Sequence, residues 1–311
     1  MVNPWRRIYD HPQSRDPFEH GIPDFALYVD IEPTNACNMD CLFCVRRQMK
    51  RPVGYMELGL FEKICRQLKK YGCKGVRFLR WGEPLLNKNI FRMIKIAKGY
   101  GFLTHLTTNG LLLADNAISE LISSKLDSIN ISMQGLNERE YNSLRGTDKY
   151  PQLEKNITRF CFLKKRASSV SPFVCLAVTL TDETKKDLDS FTGRWKGVVD
   201  GFSVGYTWFS RLKDKRRVNA WLKRAKPLPH YFRCIEVMCK LSIDWDGRVS
   251  PCCLDYDRQL TLGNAGKDDL LDLWRSPKLK SVRALLARKG QDSVELCSGC
   301  ELNYDFRGKT D

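Results

Sequence analysis

The 311-residue sequence has no apolar run long enough to span a bilayer, and its first residues lack the apolar core of a secretory signal. These absences argue against a membrane span and predict a cytoplasmic protein, in a compartment where glutathione and thioredoxin keep thiols reduced. Internal repeats and low-complexity tracts are also missing. The length suits one large domain or two.

Histidine is scarce, with only four residues, and none of them lies in sequence beside the three cysteines at 37–44. Cysteine is abundant, but its count of thirteen is odd, which does not suit a fully paired disulfide framework. In a reducing compartment these thiols are expected to be metal ligands, catalytic groups or small buried side chains.

Acidic residues are fewer than basic ones, 36 against 52, and the net charge is +16. Such a charge suits either an anionic partner or simply a lysine-rich solvated surface. The densest cluster, "RLKDKRRVNAWLKRAK" (211–226), holds eight basic residues and one acid. No nucleic-acid-binding signature accompanies it, so the sequence does not favour nucleic acid as a partner.

Strand-like and helical segments alternate along the first two thirds of the chain, from "FALYVDI" (25–31) to "VDGFSVGYTW" (199–208). About six βα units fit between residues 25 and 210, fewer than the eight of a closed barrel. The sequence therefore predicts an α/β fold, a partial (β/α)6 TIM-like barrel at 25–210. An N-terminal extension (1–24) precedes it, and a basic connector (211–233) and a small cysteine-rich domain of a hairpin plus helix (234–311) follow.

Three cysteines lie within the eight residues "CNMDCLFC", at Cys37, Cys41 and Cys44, directly after the first predicted strand. A cubane [4Fe–4S] cluster has four irons, so three thiolates leave one iron open to a further ligand. The alternative is a structural zinc site, which would require a fourth ligand nearby, and none is visible in the sequence.

The Cys-x3-Cys-x2-Cys spacing resembles the signature of the radical S-adenosylmethionine (SAM) superfamily. "WGEP" (81–84) resembles its "GGEP" motif, with Trp81 in place of the first glycine, and "TTNG" (107–110) and "SINISMQG" (128–135) match the ends of later strands. The resemblance implies that Cys37, Cys41 and Cys44 hold the cluster. It implies the following SAM-binding residues: Gly82, Glu83, Ser132, Gln134 and Arg145.

The resemblance also implies the chemistry. The open iron binds SAM, one electron cleaves its carbon–sulfur bond, and a 5′-deoxyadenosyl radical removes hydrogen from an unactivated carbon. The expected partners are a substrate and a one-electron donor such as flavodoxin or ferredoxin.

The C-terminal cysteines resemble the SPASM module, in its shorter "twitch" form, which holds one auxiliary [4Fe–4S] cluster. The expected ligands are Cys234, Cys252, Cys297 and Cys300. A zinc ribbon is the alternative, since Cys297 and Cys300 form a C-x2-C pair. Cys239 and Cys253 lie beside these ligands, and either could replace one of them.

A thiol near the substrate could also return a hydrogen atom to a substrate radical. Cys253 is the candidate donor and Cys239 the weaker one. The other four cysteines are expected to be core residues: Cys65, Cys73, Cys161 and Cys175.

The predicted reaction is epimerisation or dehydrogenation of a small sugar-like or cyclitol-like substrate, since the single auxiliary cluster resembles aminocyclitol dehydrogenases and epimerases. A peptide maturase acting on a precursor peptide, of the kind that makes ribosomally synthesised modified peptides, is the first alternative. A non-catalytic metal-binding or nucleic-acid-binding protein is the second.

Overall fold

The computed structural model describes residues 2–180, 185–206, 234–298 and 300, together with residues 212, 226, 227, 304 and 305. Six parallel strands form its central sheet, each paired with the next in sequence. They are β1 (Tyr28–Ile31), β2 (Gly75–Phe78), β3 (Leu103–Thr108), β4 (Ser128–Ser132), β5 (Phe173–Leu180) and β6 (Gly201–Tyr206).

Helices connect these strands, as expected for βα units. They are α3 (Leu58–Lys70), α4 (Ile90–Gly99), α5 (Asp115–Ser123), α6 (Glu138–Arg145), α7 (Tyr150–Arg166) and α8 (Leu188–Trp195). Short 3₁₀ helices occur at Val45–Gln48, Pro84–Leu86, Lys185–Asp187 and Gln291–Ser293. Two short helices, α1 (Arg6–Tyr9) and α2 (Pro12–Arg15), precede β1.

The apolar core lies between the sheet and these helices. In α3, Phe61, Ile64, Cys65 and Leu68 are buried at the spacing of one helix face. Alternate strand residues, such as Val76 and Phe78 of β2 or Ile129 and Ile131 of β4, point into the same core.

The opposite, inner face of the sheet is polar. One row of residues in register across it contains Ser242, Asp30, Arg77, His105 and Ser128. Closed barrels fill this space with bulky branched side chains. Here the inner face carries polar groups that bond one another and the N-terminal helix: Arg77 donates to Asp30 and Tyr9, and His105 bonds Ser128.

Among the described strands the sheet does not close, so the predicted partial barrel is confirmed. Strand β6 forms one edge, and on the other side β1 pairs in parallel with β8 (Lys240–Ile243). Strands β9 (Arg248–Ser250) and β10 (Gly263–Asn264) continue the same sheet with antiparallel pairing. The cysteine-rich hairpin is therefore a continuation of the barrel sheet.

The predicted hairpin is present, and the loop Asp244–Gly247 forms its turn. Within Asp244–Gly247, only Gly247 has a positive φ, 87°. The Gly247 N–H donates to the Asp244 carbonyl oxygen and the Asp244 N–H to that of Arg248. This pattern is a hairpin loop that ends in a left-handed glycine, a common hairpin connection.

The C-terminal helical region consists of two helices, α10 (Leu270–Trp274) and α11 (Pro277–Lys289), because Pro277 starts a new helix. A five-residue helix, α9 (Ile235–Cys239), precedes β8. Strands β7 (Lys226–Pro227) and β11 (Tyr304–Asp305) form a separate two-stranded pair.

The predicted basic connector (211–233) lies outside the described residues, except for residues 212, 226 and 227. The predicted domain boundaries at residues 24, 210 and 233 stay predictions. Among the described helices, none combines the length and apolar character that crossing a membrane would require.

Candidate active site

The three-cysteine loop follows β1, at the carboxyl end of the parallel strands, where α/β folds place their active sites. Hydrogen bonds hold the loop in place: the Thr34 hydroxyl donates to the Gly54 carbonyl over 2.6 Å, and the Asn35 side chain bonds Pro52 and Gly54. Cys41 is buried. Cys37 and Cys44, which are half-buried, have raised thiol pKa values because of burial.

All eight residues predicted for the cluster and for SAM lie around one cavity of about 270 Å³. They are Cys37, Cys41, Cys44, Gly82, Glu83, Ser132, Gln134 and Arg145. Three thiols facing a common space, with a buried arginine beside them, are a suitable donor set for a cubane cluster that keeps one iron open. The structure thus brings together residues that are more than 100 positions apart in the chain.

Arg145 connects the cysteine loop to the end of β4. It lies at the end of α6, is 6 % exposed, and donates to the Cys41 sulfur over 3.4 Å and to the Ser132 carbonyl oxygen over 2.6 Å. Its guanidinium also lies 5.5 Å from the centre of the Phe43 ring. The arginine therefore supplies a positive charge where thiolates would carry negative charge.

Glu83 is buried, and its carboxylate accepts three hydrogen bonds. The donors are the Thr108 hydroxyl (2.8 Å), the Asn109 amide (2.7 Å) and the Leu85 amide (3.1 Å). Burial raises the pKa of Glu83, although these bonds and nearby Arg145 oppose the shift. Glu83 thus joins the WGEP loop to the end of β3 and still faces the cavity.

Gly82 has no room for a side chain, because an added Cβ would lie 2.1 Å from the Thr34 carbonyl oxygen and 2.7 Å from that of Ala36. Trp81, at the position where relatives have glycine, lines the cavity, and its ring packs edge to face on Tyr256 at 6.1 Å. The Trp81 side chain therefore connects the WGEP loop to Tyr256 of the cysteine-rich domain.

Two further residues that line this cavity, Arg80 and Asn109, are not among the site residues predicted from the sequence. Arg80 has a φ of 113°, and its guanidinium donates to the Asp255 carbonyl oxygen and pairs with Asp244 at 3.3 Å. The side-chain amide nitrogen of Asn109 donates to the side-chain oxygen of Asn38 over 2.7 Å and lies 3.9 Å from the Cys37 sulfur. "TTNG" was a signal for Asn109, but no local pattern marks the conformation of Arg80.

A second cavity, of about 250 Å³, is lined by Cys234, Cys252, Cys297 and Cys300. These are the four predicted auxiliary ligands, and four thiols around one cavity fit a fully ligated cubane cluster. Burial raises the pKa of Cys234 to about 12. Leu79 and Leu254 line both cavities, so the two sites are neighbours inside the barrel.

Cys253 lines the second cavity, and its sulfur lies 3.8 Å from a Glu236 carboxylate oxygen. Cys239 lines neither described cavity, and its thiol donates to the Gln13 carbonyl oxygen over 2.9 Å. It packs with Trp5, Ile8 and Tyr28, because the last turn of α9 faces the N-terminal helices. This position separates Cys239 from the candidate site.

Comparison with known proteins identifies the class. The model of the radical SAM superfamily matches residues 31–191, which is more than half of the chain. A second model, an iron–sulfur cluster-binding domain called SPASM, matches residues 234–301. The chain therefore belongs to the radical SAM superfamily, and within it to the enzymes that carry a SPASM module.

The cofactors of this class are a SAM-binding [4Fe–4S] cluster, an auxiliary iron–sulfur cluster and SAM. Membership favours an enzyme over a non-catalytic binding protein. The predicted family, fold class and cofactors are confirmed.

Relatives of known name differ in coverage. A GTP 3′,8-cyclase of Chlorobaculum tepidum is 31% identical over 134 residues, which are 42% of this chain and 40% of the cyclase. The chain thus matches less than half the length of that relative. A tungsten-containing aldehyde ferredoxin oxidoreductase cofactor-modifying protein of Pyrococcus furiosus is 24% identical over 324 residues, covering 91% of this chain and 90% of the relative.

Two solved structures share the fold. BtrN in complex with AdoMet and 2-DOIA has a TM-score of 0.58 at 19% identity, covering 89% of this chain and 93% of BtrN. SuiB of Streptococcus suis bound to S-adenosylmethionine has a TM-score of 0.67 at 22% identity, covering 97% of this chain and 78% of SuiB.

Proposed function

We propose that this radical SAM enzyme removes a carbon-bound hydrogen from a small polyhydroxylated substrate, sugar-like or cyclitol-like, and thereby dehydrogenates or epimerises it. The observation that carries the proposal is the pair of adjoining cavities lined by cysteines, which share Leu79 and Leu254. Hydroxyl and amide side chains in the wall of the first cavity, among them Thr107, Asn109 and Gln134, suit a ligand rich in hydroxyl groups. The fold shared with BtrN, whose complex contains 2-DOIA, agrees with this class.

In this proposal Cys37, Cys41 and Cys44 hold the first cluster, and Cys234, Cys252, Cys297 and Cys300 hold the auxiliary one. When bound, the first cluster and SAM supply the 5′-deoxyadenosyl radical, and the protein orients substrate and excludes water. Auxiliary ligation by four thiolates suits electron transfer better than substrate binding.

The residues of the chain have distinct proposed tasks at the SAM site. Gly82 allows the WGEP loop to pack against the backbone of Thr34 and Ala36, and Glu83 faces the methionyl amino group while it bonds the end of β3. Ser132 and Gln134 would contact the ribose or carboxylate. Arg145 compensates negative charge at the cysteine loop and the SAM carboxylate.

Anaerobic reconstitution followed by incubation with SAM, dithionite and C-deuterated probes tests the proposal. The probes are aminocyclitols, beginning with the 2-DOIA skeleton, and hexosamines. Transfer of deuterium into 5′-deoxyadenosine is the expected result. SAM cleavage that never takes up deuterium from any of these probes, but does from a peptide, would reject the substrate class.

The outcome at the substrate carbon depends on whether a thiol returns a hydrogen atom, and Cys253 is the proposed donor. The thiyl radical left on Cys253 would then be reduced to the thiol by one electron from the electron-donor protein and one proton from solvent. In D₂O an epimerisation of this kind puts one solvent deuterium into the product, and Cys253→Ala abolishes the incorporation. Incorporation that persists in that variant eliminates Cys253. A product two hydrogens poorer than the substrate identifies dehydrogenation.

Peptide maturation is the second candidate function, because the fold match to SuiB has the higher TM-score and a structure of SuiB contains the precursor peptide SuiA. A short precursor encoded beside this gene, together with a mass change of that peptide on incubation, would establish it. The proposed electron donor in either case is a flavodoxin or a ferredoxin. The proposed location is the cytosol, because iron–sulfur ligands and free thiols require reducing conditions.

A further inference from the structure

Lys240, the first residue of β8, has a side chain that is fully buried. Its ammonium donates to Asp30 over 2.6 Å and forms a close ion pair with Glu236, one helical turn before it. Lysine is almost never buried without such partners. A buried charge of this kind requires an explanation beyond the packing of the strand.

The ammonium occupies a position that would otherwise suit a cation. Ligand atoms of Asp30, Glu236 and Cys253 lie within 4.8 Å of one another, a spacing that could hold a metal ion. Because Lys240 pairs with both carboxylates, its ammonium already balances their charge. Burial would lower the pKa of Lys240, but the carboxylates and Cys253 raise it well above its ordinary value, so the group stays charged.

This charge lies at the wall of the auxiliary cavity. Lys240, Asp30, Glu236 and Arg77 line the same space as the four cysteine ligands. Arg77 donates to both oxygens of Asp30, so two carboxylates face two cations and the group is neutral. Removal of the lysine charge would leave one net negative charge in a buried place, where charges interact strongly.

We propose that Lys240 sets the reduction potential of the auxiliary cluster, holding it more positive by a permanent buried positive charge. Net charge and hydrogen bonding around a cluster are the main determinants of its potential. A more positive potential makes the cluster a better acceptor of an electron from substrate. Lys240 thus acts on the cluster through its charge, and it does not need to touch the substrate. The inference rests on the auxiliary cluster of the proposed function.

The test is an EPR-monitored redox titration of the reconstituted protein in a background of Cys37→Ala, Cys41→Ala and Cys44→Ala, which leaves only the auxiliary cluster. The variants are Lys240→Met, Lys240→Arg, Asp30→Asn and the double variant Asp30→Asn/Lys240→Met. Asp30→Asn, which leaves one net positive charge, should have the highest potential. Wild type, Lys240→Arg and the double variant, which are neutral, should share an intermediate potential. Lys240→Met, which leaves one net negative charge, should have the lowest.

The double variant keeps the test valid if Lys240→Met alone fails to fold, because it restores neutrality without the lysine. Lys164→Met is the matched control, since Lys164 is a largely buried lysine paired with Asp200 on the far side of the sheet. It should leave the potential unchanged. Equal potentials in all folded variants, or a shift as large in Lys164→Met, would overturn the inference.

Iron analysis of the same samples distinguishes failure of the proposed auxiliary site from failure of the inference about Lys240. Absence of any cluster in the triple-cysteine background would reject the auxiliary site itself. A cluster that is present and has a potential insensitive to Asp30 and Lys240 would reject only the inference.

Discussion

Gly82 of the WGEP loop packs against the Thr34 carbonyl oxygen so closely that an added Cβ would lie 2.1 Å from it. The obstacle is backbone, and it belongs to the segment that carries Cys37. The loop that would approach SAM and the loop that would hold the cluster therefore have fixed relative positions.

Gly82→Ala is expected to displace one of these loops, because neither backbone can yield without moving cavity residues. A misplacement of about 1 Å at a reacting site can lower the rate on the order of 100-fold. The measurement is reductive SAM cleavage by anaerobically reconstituted protein. Gly59→Ala, in α3 with open space around it, is the control and should keep full activity. Activity of Gly82→Ala within a few-fold of wild type would contradict the loop contact.

Measurements of iron content should show that the N-terminal and C-terminal cysteines hold two separate clusters. Wild-type protein should bind about eight irons, because each cubane cluster contains four. Cys41→Ala should lose the SAM-cleaving cluster and all SAM cleavage, whereas Cys252→Ala should lose only the auxiliary cluster and keep some cleavage without substrate. Cys161→Ser, at a half-buried position in α7, is the control for thiol removal. Zinc in place of iron at either site would reject the assignment.

Arg145→Lys should weaken SAM binding while the protein stays folded. Lysine keeps the charge but cannot donate to both the Cys41 sulfur and the Ser132 carbonyl oxygen with arginine geometry. The expected rise in the SAM dissociation constant is about tenfold, equivalent to about 1.4 kcal/mol. Isothermal titration under anaerobic conditions measures it. Arg139→Lys, on the exposed face of the same helix, should bind SAM as wild type does.

His105 should make stability depend on pH. Burial lowers its pKa to about 3 from 6.5, and Arg77 adds to the effect. The neutral ring bonds Ser128 over 2.7 Å and Thr107 over 3.1 Å. Below pH 6.5 the unfolded chain binds a proton that the folded chain does not bind, so stability is complete above that pH and falls as pH decreases.

At pH 5.5 the loss due to His105 should be about 1.4 kcal/mol relative to neutral pH. Anaerobic urea unfolding of wild type and His105→Asn at pH 7.5 and 5.5 measures it, because asparagine does not titrate. The difference in unfolding free energy between the two proteins should change by that amount between the two pH values. A constant difference would show that the imidazole titrates normally in the fold.

Much of the fold was predictable because its elements obey local rules. The spacing of Phe61, Ile64 and Leu68 marks helix α3, and the predicted strands at 25–31 and 199–208 contain the observed β1 and β6. Helix α6 is short and polar, so hydrophobic periodicity does not mark it in the sequence.

The site was predictable to the extent that its chemistry follows from residue spacing. Three cysteines in eight residues, a WGEP loop and four later cysteines are linear patterns. In contrast, Arg80 with its φ of 113° and the contact of Trp81 with Tyr256 depend on elements far apart in the chain. The sequence already ranks Cys253 above Cys239 as a candidate, but only the tertiary structure shows that the Cys239 thiol bonds the Gln13 carbonyl oxygen of α2 and lies away from the cavities.

The sequence by itself determined the family and the six βα units and predicted which thiols bind metal, because hydrophobic periodicity and ligand spacing are local properties. Only the tertiary structure decided that β8 joins β1, so that the C-terminal cysteines lie beside the barrel interior. It also decided that Lys240 lies between Asp30 and Glu236. The physical reason is that strand pairing and buried charge balance depend on residues some two hundred positions apart, which no local pattern can specify.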